Sequence, residues 1–197
     1  MSLSPAQLYN LIQRHHAIDP AGLRVDLGCG YYKPPGFIGI DDLRGKLAQL
    51  ENSMNPPDIF MDLNRDAIPL PDESCIEVRA SHFLEHANVP HILDEVYRLL
   101  KPSGIFLFTV PYANSAEGMY PGHSIFFTEK WFHNNLQCQA LFEIEEERYR
   151  PSDIYDRLPE SIRAIPFDIA RQIFFNVCCE MTMRARTKRR AGGAMTG

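Results

Sequence analysis

Two glycines and a pair of acids raise the first chemical question. In V-D-L-G-C-G-Y-Y-K-P-P-G-F-I-G-I-D-D, Val25 to Asp42, an apolar run ends on Gly28-Cys29-Gly30 and a second one ends on Asp41-Asp42. Glycines at such a bend let the backbone turn and approach a ligand without side-chain clash. An acid at the end of the next run can accept bidentate hydrogen bonds from ribose 2′ and 3′ hydroxyls, which suits an adenosine and disfavours a 2′-phosphate. Asp41 is the first choice for that work and Asp42 the second. Asp62, after a third apolar run, can accept from an adenine amino group or simply cap its own loop. The dinucleotide fingerprint G-x-G-x-x-G fits poorly, because Lys33 stands where the third glycine belongs and the acid comes too early. The chain has no G-x-x-x-x-G-K-[ST] run, so nothing indicates a triphosphate.

A second pattern is H-F-L-E-H, His82 to His86, which reads as H-x-x-E-H. Histidines at i and i+4 can hold zinc when they share one helix, so a zinc metalloprotease is one reading. Here the stretch directly follows a strand, and the sequence offers no convincing third ligand. Loop residues that line a pocket or cap the next helix account for it better.

The elements that must position these residues alternate. Ser4-Pro5 opens a helical pattern with Leu8, Leu11 and Ile12 on one face. Short apolar runs at Val25–Leu27, Phe37–Ile40, Ile59–Leu63 and Ile76–Ala80 predict strands. Only eight residues, Cys29 to Gly36, join the first two, too few for an ordinary crossover helix. From Asn88 the apolar residues Val89, Ile92, Leu93, Val96, Leu99 and Leu100 form one helical stripe, with Asn88 as cap and Lys101-Pro102 and Gly104 as stop. Ile105–Val110 follows, apolar throughout, as in a strand buried on both faces. Beyond Pro111 come a loop to His123, a short helix over Thr128–Leu136, an alternating edge strand over Phe142–Tyr149, a helix within Pro151–Ala170 and a long last strand over Ile173–Arg186. Such alternation predicts an α/β doubly wound sheet, which binds ligands beyond the carboxyl ends of its strands.

Bulk properties narrow the partners. The 197 residues suit one domain, and 45% apolar with 23% charged residues suits a globular fold. The five cysteines, with no C-x-x-C pair, form neither a disulfide framework nor a zinc site and fit a cytoplasmic protein. The start of the chain has no signal-peptide pattern, and no run is long enough for a membrane span. Five basic residues from Arg184 onward leave 15 basic against 25 acidic residues elsewhere, an acidic body that weighs against nucleic acid as partner. One domain is expected over 1–186, with a basic flexible tail over 187–197.

As an ordered set from Val25 to Pro111, V-D-L-G-C-G, G-I-D, M-D-L…P-L-P-D-E-S, S-H-F-L-E-H and L-D-E-V-Y-R-L-L-K-P-S-G-I-F-L-F-T-V-P resemble the class I S-adenosylmethionine-dependent methyltransferases. The nearest kind is the small single-domain group acting on small molecules, lipids and glycans. The resemblance implies a mostly parallel Rossmann-like sheet with an antiparallel last strand, S-adenosylmethionine as methyl donor and S-adenosylhomocysteine as product. It implies that Asp26, Gly28, Cys29 and Gly30 form the turn holding the methionine part, and that Asp41 holds the ribose. Asp62 and the backbone of Leu63 would face the adenine, with Ser81 and His82 beside the methionine end. Tyr32 replaces the family's usual third glycine, Cys75-Ile76 its usual Phe-Asp pair, and Pro-Ser-Gly its commoner Pro-Gly-Gly.

Methyl transfer from a sulfonium is an in-line displacement on an activated carbon, so holding donor and acceptor collinear is the main work. A base matters only if the acceptor must lose a proton. His123, His86 and His82 are the candidates, Tyr112 could orient an acceptor, and Asn114–His123 could form a lid. No metal is expected. The expected function is methyl transfer to a small-molecule, lipid or glycan acceptor; the alternative is a non-catalytic scaffold of the same fold that binds S-adenosylmethionine.

Overall fold

In the computed structural model, which describes residues 21–42 and 55–188, seven strands form one sheet in the order β3-β2-β1-β4-β5-β7-β6. The strands are β1 Leu23–Leu27, β2 Ile38–Asp41, β3 Ile59–Phe60, β4 Cys75–Ser81, β5 Leu100–Pro111, β6 Phe142–Pro151 and β7 Cys178–Thr187. The first five run parallel, while β7 lies antiparallel to β5 and carries β6 antiparallel on its far edge. Chain order reverses at β1, whose neighbours are β2 and β4, so the carboxyl ends of these strands border a crevice. The expected helix near the start and the end of the basic tail, residues 189–197, lie outside the described residues. Strand β7 runs to Thr187, and the Lys188 N–H donates to Leu141 O at 2.9 Å, so order continues past the expected boundary at 186.

Helix α1, Val89–Leu99, buries Val89, Ile92, Leu93, Val96 and Leu99, the stripe read from the sequence. Its start differs from expectation. The Asn88 side chain makes no cap bond; instead its backbone N–H donates to Asn64 Oδ1 at 2.7 Å. Strand β3 is shorter than expected because Asp62 turns the chain. Its Oδ1 accepts from Asn64 N at 3.1 Å, and its backbone oxygen takes the Arg65 and Asp66 N–H groups. The expected helix over Thr128–Leu136 is two, α2 Glu129–Asn134 and α3 Leu136–Leu141, divided where the Asn135 side chain caps Cys138 N. The segment Pro151–Ala170 yields α4 Glu160–Arg163, and α5 Phe167–Ile173 runs beyond its expected end, each helix preceded by a proline. Helix α5 and a left-handed turn at Asn176 take residues assigned to the last strand.

Between β1 and β2 the chain has no helix, only turns with Gly28, Gly30 and Gly36 at positive φ. The core is apolar, with Val25, Val78, Phe106 and Phe108 at its centre. Strand β5 is not buried on both faces among the described residues. Phe106, Phe108 and Val110 are buried, but Ile105 and Leu107 are half-buried and border a shallow depression of about 490 Å³ with Ile76 and Arg184. That depression lies across the sheet face, away from the strand ends.

Candidate functional site: a cleft at the carboxyl ends of the strands

A smaller cleft of about 300 Å³ lies where the topology places ligands. The loops after β1, β2, β3 and β4 supply its walls: Gly28 and Gly30, Asp41 and Asp42, Met61 to Asn64, and His82, Phe83 and His86. The depression on the sheet face is larger, but it lies away from the strand ends and its charged lining is largely paired, Arg148 with Glu146 and Arg184 with Glu145.

Backbone geometry explains both glycines of the turn. Gly28 has φ +64°, and a Cβ there would lie 2.4 Å from the Phe83 ring, so the ring packs on the bare backbone. Gly30 has φ +54°, and a Cβ there would meet nothing within 4 Å, so its backbone borders open space. The Gly30 N–H donates to Asp41 Oδ2 at 2.8 Å, and Gly28 N–H donates to Ile40 O at 2.8 Å. The turn and the acid are thus one unit. A carboxylate has about four lone-pair sites, more than one such bond uses.

Asp26 sits beneath the turn, only 3% exposed. Burial pushes its carboxyl up to about 6, against the pull of Arg79, and Asp41 adds to the push. Arg79 Nε is 3.7 Å from Oδ1, and that oxygen has no hydrogen-bond partner. Burial drives the Cys29 thiol up to about 12, so it stays protonated and serves in packing, its sulfur close against Gly39. Asp62 and Leu63 both border the cleft, though Asp62 also holds its own turn.

The opposite wall gathers the histidines. Ser81 ends β4 beside Thr109 of β5 and is outside the cleft lining. His82 follows at φ +52° and lines the cleft. Its Nε2 meets Glu180 Oε2 at 2.9 Å, and its Nδ1 lies 3.6 Å from Glu85 Oε1. The carboxylates of Glu85 and Glu180 hold the imidazole above its usual range despite burial. His86 belongs to a 3-10 turn, Leu84–His86, so the H-x-x-E-H stretch does not share one helix and its two histidines take different partners. His123 lies outside the cleft lining, but its ring stands edge-on to His86 with centroids 4.8 Å apart.

Tyr112 is placed elsewhere. It is 3% exposed, donates to Glu129 Oε2 at 3.2 Å and accepts from Arg171 Nη1 at 3.2 Å. Burial, with Glu129 beside it, raises the phenol, and Tyr112 is outside the cleft lining. The segment 114–123 is fastened at its base, where buried Ser115 donates to Tyr112 O and accepts from Gly118 N, while Met119 and Tyr120 stay exposed at its tip. Sequence reasoning did not single out Phe83, Asn64 or Glu180. The latter two bond partners 24 and 98 residues away, a relation no local pattern carries.

This cleft fits S-adenosylmethionine by its chemistry. The donor carries a sulfonium, an ammonium and two ribose hydroxyls, and three carboxylates (Asp41, Asp42 and Asp62) ring the space. The open backbone at Gly30 adds room for such a ligand, and beneath the turn an Asp26 oxygen lacks a hydrogen bond, though Asp26 is outside the cleft lining.

Comparisons with known proteins agree. The methyltransferase domain family matches residues 25–108. No curated protein matches the sequence. Among solved structures, an S-adenosylmethionine-dependent methyltransferase from Archaeoglobus fulgidus superposes with a TM-score of 0.60 at 19% identity, covering 93% of this chain and 94% of that one. A methyltransferase in complex with the Trm112 activator of Haloferax volcanii gives 0.58 at 18% identity, covering 93% and 90%. The 16S rRNA (adenine(1408)-N(1))-methyltransferase of Catenulisporales acidiphilia, in a W203A mutant form solved with S-adenosylmethionine, gives 0.58 at 12% identity, covering 98% and 96%. Residues 25–108 are thus similar to a methyltransferase domain, and the fold is the Rossmann-like one of solved S-adenosylmethionine-dependent methyltransferases.

Proposed function

We propose that this chain transfers the methyl group of S-adenosylmethionine to a small-molecule, lipid or glycan acceptor. The observation that carries the reading is the strand-end cleft bordered by the Gly28–Gly30 turn and Asp41 on one side and by His82 and His86 on the other. When bound, the donor supplies an activated methyl carbon. The turn and Asp26 take the methionine end, Asp41 holds the ribose hydroxyls, and Asp62 with the Leu63 backbone faces the adenine. These groups fix the donor so that its methyl points toward the histidine wall, and positioning of this kind supplies much of the rate. His86, with His123 against it, is the first candidate to accept an acceptor proton, since His82 is engaged by two carboxylates.

An acidic cleft disfavours a phosphate backbone, which supports a small acceptor over a nucleic acid. The test is to incubate the protein with methyl-labelled S-adenosylmethionine and separated metabolite, lipid and glycan fractions. Label in one of those fractions, lost with Asp41→Ala, is expected. Label in none of them, despite measurable donor binding, would leave a binding protein without transfer.

A further inference from the structure

We propose that Glu85, His86 and His123 form a site for a divalent transition-metal ion of the zinc type at the acceptor end of the cleft. One potential ligand atom from each residue lies within 4.8 Å of the others. Metal bonds of about 2.1 Å place ligand atoms roughly 3.4 Å apart, so side-chain movements of about 1 Å close the set.

Each histidine has one ring nitrogen held by a backbone carbonyl. His86 Nδ1 lies 3.0 Å from Gly122 O, and His123 Nδ1 lies 3.2 Å from Gly118 O. A carbonyl oxygen only accepts, so each Nδ1 carries the proton and each Nε2 keeps its lone pair. Backbone carbonyls that fix the tautomer and the ring of a ligating histidine are the usual outer support of such sites.

The acid supplies the independent observation. Glu85 is 1% exposed, and its Oε2 is buried without a hydrogen-bond partner. An unsatisfied buried carboxylate oxygen is costly, and a bound cation removes that cost. The supporting backbone is also fastened. Ser124 N and Oγ both donate to Glu85 O, at 2.8 and 3.0 Å, tying the 3-10 turn to the loop that carries His123.

Two imidazoles and one carboxylate suit zinc and its neighbours and leave positions open for another ligand. His82 is not in this set; its two ring nitrogens face Glu180 Oε2 and Glu85 Oε1. His86 also lines the cleft, so the open positions face the space beside the donor. If the methyl-transfer reading holds, they would seat an oxygen- or nitrogen-bearing acceptor, and the ion, in place of His86 as a base, would lower the pKa of the acceptor proton.

The experiment uses the full chain after chelator treatment, titrated with Zn²⁺ by calorimetry and with Co²⁺ by visible absorption, without methyl donor. One equivalent of each metal is expected, with Co²⁺ bands of a site containing nitrogen ligands. Glu85→Gln and His123→Ala should each weaken binding tenfold or more, while His133→Ala, at a distant exposed histidine, should not. S-adenosylmethionine titrations of the same variants check that each is folded and keep the two readings separable, since metal uptake is measured without the donor. No uptake of either metal, or uptake unchanged in both ligand variants, would overturn the site.

Discussion

The two walls of the cleft are built by different means. The Gly28–Gly30 turn reaches Asp41 through one backbone N–H across 11 residues, and both lie at the ends of adjacent strands β1 and β2. The histidine wall joins β4, the following 3-10 turn, the 114–124 loop and β7, through contacts spanning 36 to 98 residues. The first wall is a property of strand ends and glycine backbone, set by topology. The second depends on where long loops dock. A fold can therefore keep its glycine wall while loop changes alter the histidine wall, which is how one architecture can serve many substrates.

The sharpest way to break the glycine wall is Gly28→Ala. The new Cβ would lie 2.4 Å from the Phe83 ring on a residue at φ +64°. Strain and overpacking together should cost about 3–5 kcal/mol in chemical denaturation. Adding Phe83→Ala should relieve the ring part of the clash, while the residue-83 Cβ at 2.7 Å and the cost of the backbone angle remain. Equal instability of the single and double variants would show that the ring contact is not the constraint.

Asp26 offers a pH test of the same wall. Its folded value is raised to about 6 from an ordinary 3.8. Below about pH 4 the group is protonated in both states, and its contribution is intact. As pH rises through 6 the unfolded chain has already released the proton, so the folded state loses about 3 kcal/mol. Denaturation of the donor-free protein between pH 4 and 7 should show this decline, and Asp26→Asn should flatten it. A bound cationic donor should shrink it, because positive charge favours the carboxylate.

For Asp41→Ala the expected loss is about thirtyfold in S-adenosylmethionine affinity, or about 2 kcal/mol, from the ribose bonds and the orphaned Gly30 N–H. Calorimetric titration reads it directly, and unchanged affinity would remove the ribose assignment. The smallest effect belongs to Tyr112→Phe. Losing the hydroxyl between Glu129 and Arg171 should cost about 1 kcal/mol of stability and leave methyl transfer within about twofold. A large loss of turnover at normal stability would place the phenol in the chemistry after all.

The same contrast governs what the sequence makes legible. The sheet, the helix-free crossover and the glycine–acid pairing at the strand ends can be read because glycine at a strand end, an acid at the next strand end and a helical stripe are local signals. Element ends are harder. Strand β3 stops at Phe60 because the Asp62 side chain and backbone capture the next N–H groups, and Asn88 is capped by Asn64 from another loop. On the histidine wall, His86 and His123 are visible as candidate bases, but their mutual contact is not. Nor is the pairing of His82 with Glu180, which needs β7 to lie antiparallel beside β5. Tyr112 sits next to the end of a parallel strand, as a site residue would, yet its ring turns toward Arg171 and Glu129.

The most direct measurement is a crystal structure with S-adenosylhomocysteine bound. The account predicts the ribose hydroxyls within hydrogen-bond distance of Asp41 and the amino-acid end against the Gly28–Gly30 turn, with the sulfur facing the His86 side. Ligand density at the depression beside Ile105 and Leu107, or an empty strand-end cleft at saturating ligand, would contradict it.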